Sequence, residues 1–428
     1  MEKAFLAWGI LFGMPGVCID IGTSFMAIAN ILIFSVIAYK GIVQIKHRSV
    51  YWDRKYALWY ALLISIIITS AVSFITLPDS WFYGAISRTI KIVIIIVSLM
   101  LLWTQKQLLV LRERFIRGLY YSAVINMLWA WLQMYCGYIL GININRLVFQ
   151  DILHLSSNVY WDQSVAHDIV YRMSGLSWEP ASIGLIACIG YILTKNNIVK
   201  MLFAITILLS TSKSGIMCLA ILFIRDIWSF IVNKKNIASS MINQKGIIVF
   251  LIVLVSTGLI WLEYDNYIMN ALENIAFIFD LIITSIVSPQ DNFSSNIHST
   301  YYIELWNVLS SVDFVNFLFG TGMFSSGYIY EVKRIVIMQG VWIPESDFIT
   351  IVVGNGVVGG ILYYSILIKN IMLRENYINT SLSILLFVFG FFYVQCAGWI
   401  VMVFLLSLCE GRFREKKTAI SVCNTAKL

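Results

Sequence analysis

The stretch YRMSGLSWEPASIGLIACIGYIL, residues 171–193, joins a polar segment that carries two charges to a long apolar run. From Pro180 onward it holds small and aliphatic residues, one tyrosine and no charged residue. Such a run is typical of a helix that enters a lipid bilayer, and proline suits the first turn of a helix, where its missing N–H costs nothing. We therefore predict a membrane-spanning helix that begins at Pro180, with Arg172 and Glu179 at its mouth.

The composition of the whole chain points the same way. Of its 428 residues, 59% are hydrophobic and 12% are charged, and the mean hydropathy is +0.82. Soluble domains are about 45–50% apolar and about 25% charged, so the chain is predicted to be an all-α polytopic membrane protein. The net charge of +7 does not indicate a nucleic-acid partner, because Lys and Arg occur in short clusters between apolar runs, as they do in cytoplasmic loops.

Hydropathy predicts about twelve spans, since a spanning helix needs about 20 mostly apolar residues. Lys and Arg collect in alternate loops, which predicts that both termini are cytoplasmic and that two long loops, 141–179 and 264–348, lie outside. The last two spans could also form one long helix, but the basic tail after residue 411 favours two. The predicted spans are 4–18, 24–40, 56–76, 87–104, 118–141, 180–195, 198–211, 214–232, 246–263, 349–369, 379–394 and 395–410.

These spans and loops divide the chain into five regions. Three are membrane regions, of which the last ends in a basic cytoplasmic tail, and two are outer loops. Long loops are where chemistry is expected. The regions are residues 1–140, 141–179, 180–263, 264–348 and 349–428.

Cysteine and histidine usage gives no support for a metal or a cofactor. The seven Cys residues are scattered without a CxxC pair, and the four His residues show no zinc-binding spacing. We therefore expect no metal ion and no cofactor.

Three charges lie at the outer ends of predicted spans and could share one cavity: Arg172, Glu179 and Lys213. Charges in such places usually face a protein interior or a wet cavity and carry function. Two simpler interpretations stay open, because long basic side chains near helix ends also reach to the interface, and Glu179 could merely cap the helix dipole. Arg172-x-x-Gly175 suggests a tight turn that holds a guanidinium over the helix start, and that group suits a phosphate.

The second outer loop carries FLFGTGMFSSGY, then a Lys333–Arg334 pair, then WIPESDFITIVVGNGVVGG. The Gly-Thr-Gly motif is more often a turn than a phosphate cradle, and the Lys-Arg pair could be only a solvated pair of charges. The aromatic residues of the loop form either a small apolar core, which we favour for most of them, or a stacking surface for sugar rings. They are Tyr301, Tyr302, Trp306, Phe324, Tyr328, Tyr330 and Trp342.

The order of these motifs resembles the O-antigen polymerase and ligase superfamily, bacterial membrane enzymes that join lipid-linked sugar units. The family's first-loop motif is matched by Arg172, Gly175, Glu179 and Pro180. STSKSG resembles its Thr-x-Ser-Lys opening of a later span, with Lys213 in the basic position. The polar cluster that feeds a span with Gly356 and Gly359 resembles its closing motif.

The chain departs from the family pattern at two places. It has Glu345-Ser346-Asp347 where the ligases of lipopolysaccharide have His-Asn, which favours a polymerase. Many members carry an arginine a few residues before a tryptophan, but Trp306 has none, so Lys333 or Arg334 would have to replace it.

The resemblance implies a fold similar to the GT-C class of membrane glycosyltransferases and an O-antigen polymerase activity in the bacterial plasma membrane, with a periplasmic active site. Donor and acceptor would be undecaprenyl-diphosphate-linked glycans, and a chain-length regulator is a possible partner. Arg172 and Lys213, with Arg334 or Lys333, would bind the diphosphate. Asp347 or Glu345 would be the general base, with His298 and Glu179 as further candidates. Two alternatives remain: a ligase that moves finished polymer to lipid A core or protein, and a flippase for the same lipid.

Overall fold

The computed structural model describes residues 1–21, 24–47, 56–155, 173–177, 180–210, 212–233, 302, 304–332, 346–372, 377–392 and 396–408. This part of the chain is mainly α-helical, with one short β-hairpin and two π-helical segments, Cys136–Leu140 and Arg146–Ile152. The helices are α1 Glu2–Phe12, α2 Ile28–His47, α3 Ala57–Thr76, α4 Asp79–Leu102, α5 Gln105–Tyr135, α6 Pro180–Leu193, α7 Asn197–Leu209, α8 Lys213–Asn233, α9 Leu305–Ser311, α10 Phe314–Phe319, α11 Ser326–Val332, α12 Asp347–Gly354, α13 Gly356–Met372, α14 Tyr377–Phe392 and α15 Cys396–Ser407.

Within the described ranges, three helical segments are long and apolar enough to cross a membrane: Ile28–Lys46, Ala57–Thr76 and Trp81–Leu102. Four shorter apolar helical segments accompany them, namely Ala181–Leu193, Asn197–Leu209, Gly356–Met372 and Ile378–Phe391. The chain is therefore a mainly α-helical membrane protein, as its composition predicts. The total of twelve spans stays a prediction, and the predicted span 246–263 lies outside the described residues.

The first predicted span, 4–18, is wrong in its extent. α1 ends at Phe12, and Cys18–Ile21 (β1) pairs antiparallel with Ser24–Ala27 (β2). The physical reason lies in Gly13, Pro15 and Gly16, which interrupt the helix, because proline has no N–H to donate and glycine weakens helices. The next helix, α2, therefore begins at Ile28 and runs to His47, beyond the predicted end at residue 40.

The basic segment KQLLVLRERFIR, residues 106–117, lies between the predicted spans 87–104 and 118–141 and is the first part of α5 instead of a loop. Thr104 caps this helix in a reciprocal pair of hydrogen bonds with Gln107, and Gln107 is the third helical residue. Such a capping box satisfies two backbone donors at a helix start. The segment that follows consists mostly of good helix formers, so its charges extend a helix beyond the apolar part instead of breaking it.

α1 and α5 run in parallel and pack with unusually close backbones. A Cβ atom added to Gly9 would overlap the carbonyl of Phe115, and one added to Gly118 would overlap that of Leu6. At the start of α1, Glu2 forms a salt bridge of 2.7 Å with Arg114 of α5. Small residues allow this close approach. Since lipid is as apolar as the helices, close van der Waals packing of this kind drives helices in a membrane to associate.

The same end of the molecule holds the starts of α1, α3 and α5 and the end of α15. Trp59 in the first turn of α3 donates a hydrogen bond to Ser407 Oγ at 2.8 Å, and Arg112 of α5 donates to the carbonyl of Leu408. We call it the inner end, because the distribution of Lys and Arg predicts that it faces the cytoplasm. The opposite end, which holds the ends of α1 and α3 and the start of α6, is the outer end.

The predicted span 349–369 is two helices, α12 and α13, separated at Asn355. Gly356 has a φ of +67°, which favours glycine and interrupts a right-handed helix. The Gly320-Thr321-Gly322 turn docks on this break, because Gly322 N donates to Gly354 O at 2.9 Å. The Gly-Thr-Gly motif is thus a turn that covers a helix break, as the more common interpretation of the motif predicts.

Candidate functional site at the outer end

The turn before α6 is held by polar side chains of α5. Gln133 Oε1 accepts hydrogen bonds from the backbone N–H groups of Ser174, at 3.1 Å, and Gly175, at 3.0 Å. Asn126 Oδ1 accepts one from Leu176 N at 2.9 Å. Buried backbone groups need such partners, so α5 fixes the segment that connects to the start of α6.

Asn145 adds a second layer to this network. Its Nδ2 donates to Ser174 Oγ at 3.3 Å and to Gly175 O at 3.2 Å, and its side chain is fully buried. Ser177 Oγ is also buried and has no hydrogen-bond partner in the described part of the chain. A turn with this many side-chain bonds is built to hold a fixed shape.

Gly175 is the residue on which this turn depends. Its φ is +62°, and a Cβ there would lie 2.9 Å from Ile183 Cδ1 and 3.1 Å from Asn126 Oδ1. The turn therefore rests directly on the first turns of α6, which begins at Pro180. The charged members of the motif, Arg172 and Glu179, lie outside the described residues.

The Ser-Lys-Ser-Gly turn meets α6 at almost the same height. Ser212 caps α8, since its Oγ accepts a bond from Gly215 N at 3.1 Å. A Cβ on Gly184 of α6 would lie 3.0 Å from Ser212 Cβ. Lys213 is the first residue of α8, where helix dipoles favour anions. Two of the predicted motifs thus meet on α6, at Ile183 and Gly184.

The third motif starts α12. Ser346 caps this helix by accepting a bond from Ile349 N at 3.3 Å, and Asp347 is its first residue, only 7% exposed. A Cβ on Gly390 of α14 would lie 3.3 Å from Asp347 Cβ. The carboxylate therefore lies at the positive end of a helix and against the outer end of α14.

Tyr302 joins this motif, a contact that no pattern in the sequence predicts. Its hydroxyl lies 2.7 Å from Ser346 Oγ and also donates to the carbonyl of Phe391. The pKa of Tyr302 is raised from its usual 10.0 to about 12, chiefly by burial, with the Ser346 bond lowering it and the nearby Asp347 carboxylate raising it. The phenol is thus neutral over the physiological pH range and serves as a hydrogen-bonding group beside Asp347.

The second and third motifs lie at the same height in the molecule. α14 packs against both α6 and α8, and Arg225 of α8 donates to Ser381 of α14. Measured from this contact towards the outer end, Lys213 lies about 18 Å along α8 from Arg225, and Gly390 lies about 14 Å along α14 from Ser381. The start of α8 and the surroundings of Asp347 are therefore nearly level at the outer end.

The remaining predicted residues divide into two groups. Gly356 lies at the helix break, and Gly359 lies one turn into α13, where an added Cβ would overlap Asn355. The second group, His298, Lys333, Arg334 and Glu345, lies outside the described residues. Neither a pairing of Lys333 or Arg334 with Lys213 nor a choice between Asp347 and Glu345 follows from the described contacts, so these stay predictions.

The aromatic residues of the second loop have different environments. Phe324 is 3% exposed and Tyr330 is fully buried, so these two belong to the core. Trp306 is 72% exposed and is no part of it. Tyr302 stacks on Phe348 with the ring planes 12° apart, while Tyr301 and Trp342 lie outside the described residues.

Across the described ranges, no three His, Cys, Asp or Glu residues lie close enough together to hold a metal ion. The groups that the described site offers are one buried carboxylate, a phenol, several hydroxyls and the amino-terminal ends of α8 and α12. Such a set can bind anions and accept a proton from a hydroxyl. No protein-family model matches the chain, and no curated protein is significantly similar to it in sequence.

Proposed function

We propose that this protein is a membrane glycosyltransferase that polymerises undecaprenyl-diphosphate-linked oligosaccharide units into a surface polysaccharide at the outer face of the bacterial plasma membrane. The observation that carries the proposal is the meeting of motifs at the outer end. The Gly175 turn and the Lys213 turn both rest on Ile183 and Gly184 of α6. Asp347 lies against α14, which packs on α6 and α8.

The donor's diphosphate would bind at the starts of α6 and α8. Lys213 is the first residue of α8, and Arg172 precedes the Gly175 turn by three positions. A diphosphate leaving group needs cations and dipoles that are already in place instead of an acid, because it is stable as an anion. Lys213, Arg172 and the amino-terminal end of α8 supply both kinds of group, and Lys333 or Arg334 would add a further cation.

The acceptor would react near Asp347. The hydroxyl oxygen of the acceptor sugar attacks the anomeric carbon of the donor, the bond from that carbon to the diphosphate oxygen breaks, and the diphosphate leaves with the electron pair. The carboxylate of Asp347 takes the hydroxyl proton as general base. Ser346 and Tyr302 hold the start of α12 to α14, which keeps the carboxylate in place.

The test is an electrophoretic profile of surface polysaccharide from a strain that lacks the protein, complemented with wild type or a variant. We expect deletion to leave single repeat units on the lipid core, and wild type to restore the ladder of polymer lengths. Lys213→Ala and Asp347→Asn should fail to restore it while the protein accumulates in the membrane. Lys369→Gln, a change at an exposed inner-end lysine of α13, is the matched control and should restore the ladder.

Three results would reject the proposal. Normal polymer lengths with both Lys213→Ala and Asp347→Asn would remove these residues from the reaction. Deletion that leaves the core bare while long polymer collects on the lipid carrier would identify a ligase instead. Deletion that traps single units on the carrier at the cytoplasmic face would identify a flippase.

A further inference from the structure

An apolar groove runs along the surface between α7 and α8, from the start of α7 at Asn197 to Leu208 and Ile216, within one turn of the start of α8. Its volume is about 550 Å³. The lining side chains are aliphatic or aromatic over most of its length, and the polar ones gather at one end. The lining residues are Tyr191, Asn197, Lys200, Met201, Ala204, Leu208, Ile216, Leu219, Ala220 and Phe223.

The polar end of the groove is the inner end of the molecule. Lys200 and Asn197 lie in the first turns of α7, which begins there after the short turn from α6. From Lys200 to Leu208 the groove extends about 12 Å along the helix, close to the roughly 15 Å that one leaflet contributes to a hydrocarbon core of about 30 Å. The groove is thus nearly as long as the hydrocarbon layer of one leaflet is thick, so it can hold one acyl chain.

A charged cluster marks where a headgroup would lie. Lys200 Nζ is 3.1 Å from Asp226 Oδ2, and Arg225 Nη2 is 2.8 Å from Asp226 Oδ1. Lys200 also lies over the ring of Tyr191, 5.0 Å from its centroid. Two cations share one carboxylate, so the cluster has a net charge of +1, and exposed Lys195 adds another just before α7. An ammonium has three donors, so Lys200 can bind a further anion.

We propose that this groove binds an anionic phospholipid of the cytoplasmic leaflet, with one acyl chain between α7 and α8 and the phosphate at Lys200. Each lysine near an anionic headgroup favours binding, and the apolar walls exclude water from the chain. The proposed phosphate contact, Lys200, lies near the start of α7, whereas Lys213 follows the end of α7, and the lipid proposal does not depend on the proposed activity.

The chain's own next segment is a weaker candidate for the groove. Residues 234–245, which would lead into the predicted span 246–263, carry three lysines and no acidic residue. They would bring further positive charge towards Lys200 and Lys195, whereas an anionic lipid would neutralise it. The charge pattern therefore favours the lipid.

The experiment measures binding of phosphatidylglycerol and phosphatidylcholine with identical acyl chains to the purified full-length protein in detergent, by native mass spectrometry. Wild type should prefer phosphatidylglycerol. Lys200→Gln should weaken phosphatidylglycerol binding about fivefold, the effect of one lysine near a headgroup; Asp226 keeps its bond to Arg225. Ala204→Phe should block binding of both lipids, because the ring fills the groove.

Two further variants control for charge and for folding. Lys106→Gln removes the same charge from the exposed first turn of α5, at the inner end but outside the groove, and should bind as wild type does. Lys200→Arg keeps the charge and should retain the preference, which separates loss of charge from loss of fold. The proposal is wrong if wild type binds the two lipids equally, if it binds neither because the chain fills its own groove, or if Lys200→Gln and Ala204→Phe bind phosphatidylglycerol normally.

Discussion

The two glycine turns at the outer end are held in opposite ways. The Gly175 turn is fixed by side chains, since Gln133 and Asn126 of α5 accept bonds from its backbone N–H groups. The N–H groups of the Gly320-Thr321-Gly322 turn bond instead to backbone, namely to the last carbonyls of α12, and Gly320 approaches Gly356 closely. The Ser325 hydroxyl bonds only to the carbonyls of this turn. A network of several side-chain hydrogen bonds can lose one bond and keep the others. A close backbone contact has no room for an added Cβ atom.

The largest effect is therefore expected at the backbone contact. Gly356→Ala would place a Cβ inside the contact distance of Leu318 O, at a φ of +67°. The left-handed conformation costs about 1–2 kcal/mol and overpacking about 1–3 kcal/mol. We expect the free energy of unfolding to fall by about 2–5 kcal/mol, measured as a drop in Tm in detergent.

Gly41→Ala provides the matched control for that substitution. Gly41 lies inside α2, and a Cβ there would meet nothing within 4 Å. Alanine should leave the Tm unchanged or raise it slightly, because it is the better helix former by about 1 kcal/mol. Equal Tm values for the two variants would show that the close approach at Gly356 is tolerated and that the contrast between the turns is wrong.

A smaller loss is expected at the side-chain network. Asn126→Ala would leave Leu176 N and Gly13 O without their present partner, and an unsatisfied buried group costs about 1–3 kcal/mol. We expect the Tm to fall by less than it does in Gly356→Ala. Protection of the amide of Leu176 against hydrogen exchange should also fall, which locates the effect in the turn.

Ser122→Ala tests whether that loss belongs to the turn. Ser122 Oγ accepts only a long bond of 3.3 Å from Asn126 Nδ2. Its removal keeps the bond from Asn126 Nδ2 to Gly13 O and the bond from Leu176 N to Asn126 Oδ1. Exchange at Leu176 should stay as in wild type. If Ser122→Ala exposes this amide as much as Asn126→Ala does, the turn is held by general packing and not by the amide side chain.

The smallest effect concerns Tyr302, beside the third motif. Its folded pKa of about 12 exceeds its usual 10.0, so the neutral phenol stabilises the fold. That contribution is complete below pH 10 and is lost as the pH rises towards 12. Tyr302→Phe should therefore lose less Tm than wild type between pH 10 and pH 12, although it starts lower because it lacks the bonds to Ser346 and Phe391. Parallel Tm curves for the two proteins would contradict the raised pKa.

The sequence predicts the helices well where apolar runs are long and bounded by Pro or charge, as at Pro180 and Lys213. It fails where a boundary depends on partners that are distant in the chain. The break at Asn355 requires the Gly-Thr-Gly turn, but the hydropathy pattern predicts one continuous span, 349–369, across it. The start of α5 differs from the predicted one for another reason, since capping by Thr104 and Gln107 extends the helix into a charged segment.

The candidate site follows the same rule. The sequence alone singles out Gly175, Lys213 and Asp347, because glycines and charges stand out in apolar surroundings. It does not single out Tyr302, Gln133 or Asn145, because tyrosines and amides are common at membrane interfaces and no local spacing marks them. Amides on a helix that otherwise spans apolar surroundings are a signal that could have identified Asn126.

The break at Asn355 also sets an order for biogenesis. α12 has eight residues and rises about 12 Å, less than half of a hydrocarbon core of about 30 Å. Its last carbonyls, of Val353 and Gly354, accept bonds from Thr321 and Gly322, and an unsatisfied carbonyl in lipid costs several kcal/mol. The Gly320-Thr321-Gly322 turn must therefore dock before the segment around Asn355 enters the lipid. Because residues 320–322 precede α12, the ribosome delivers this partner before the helix that needs it.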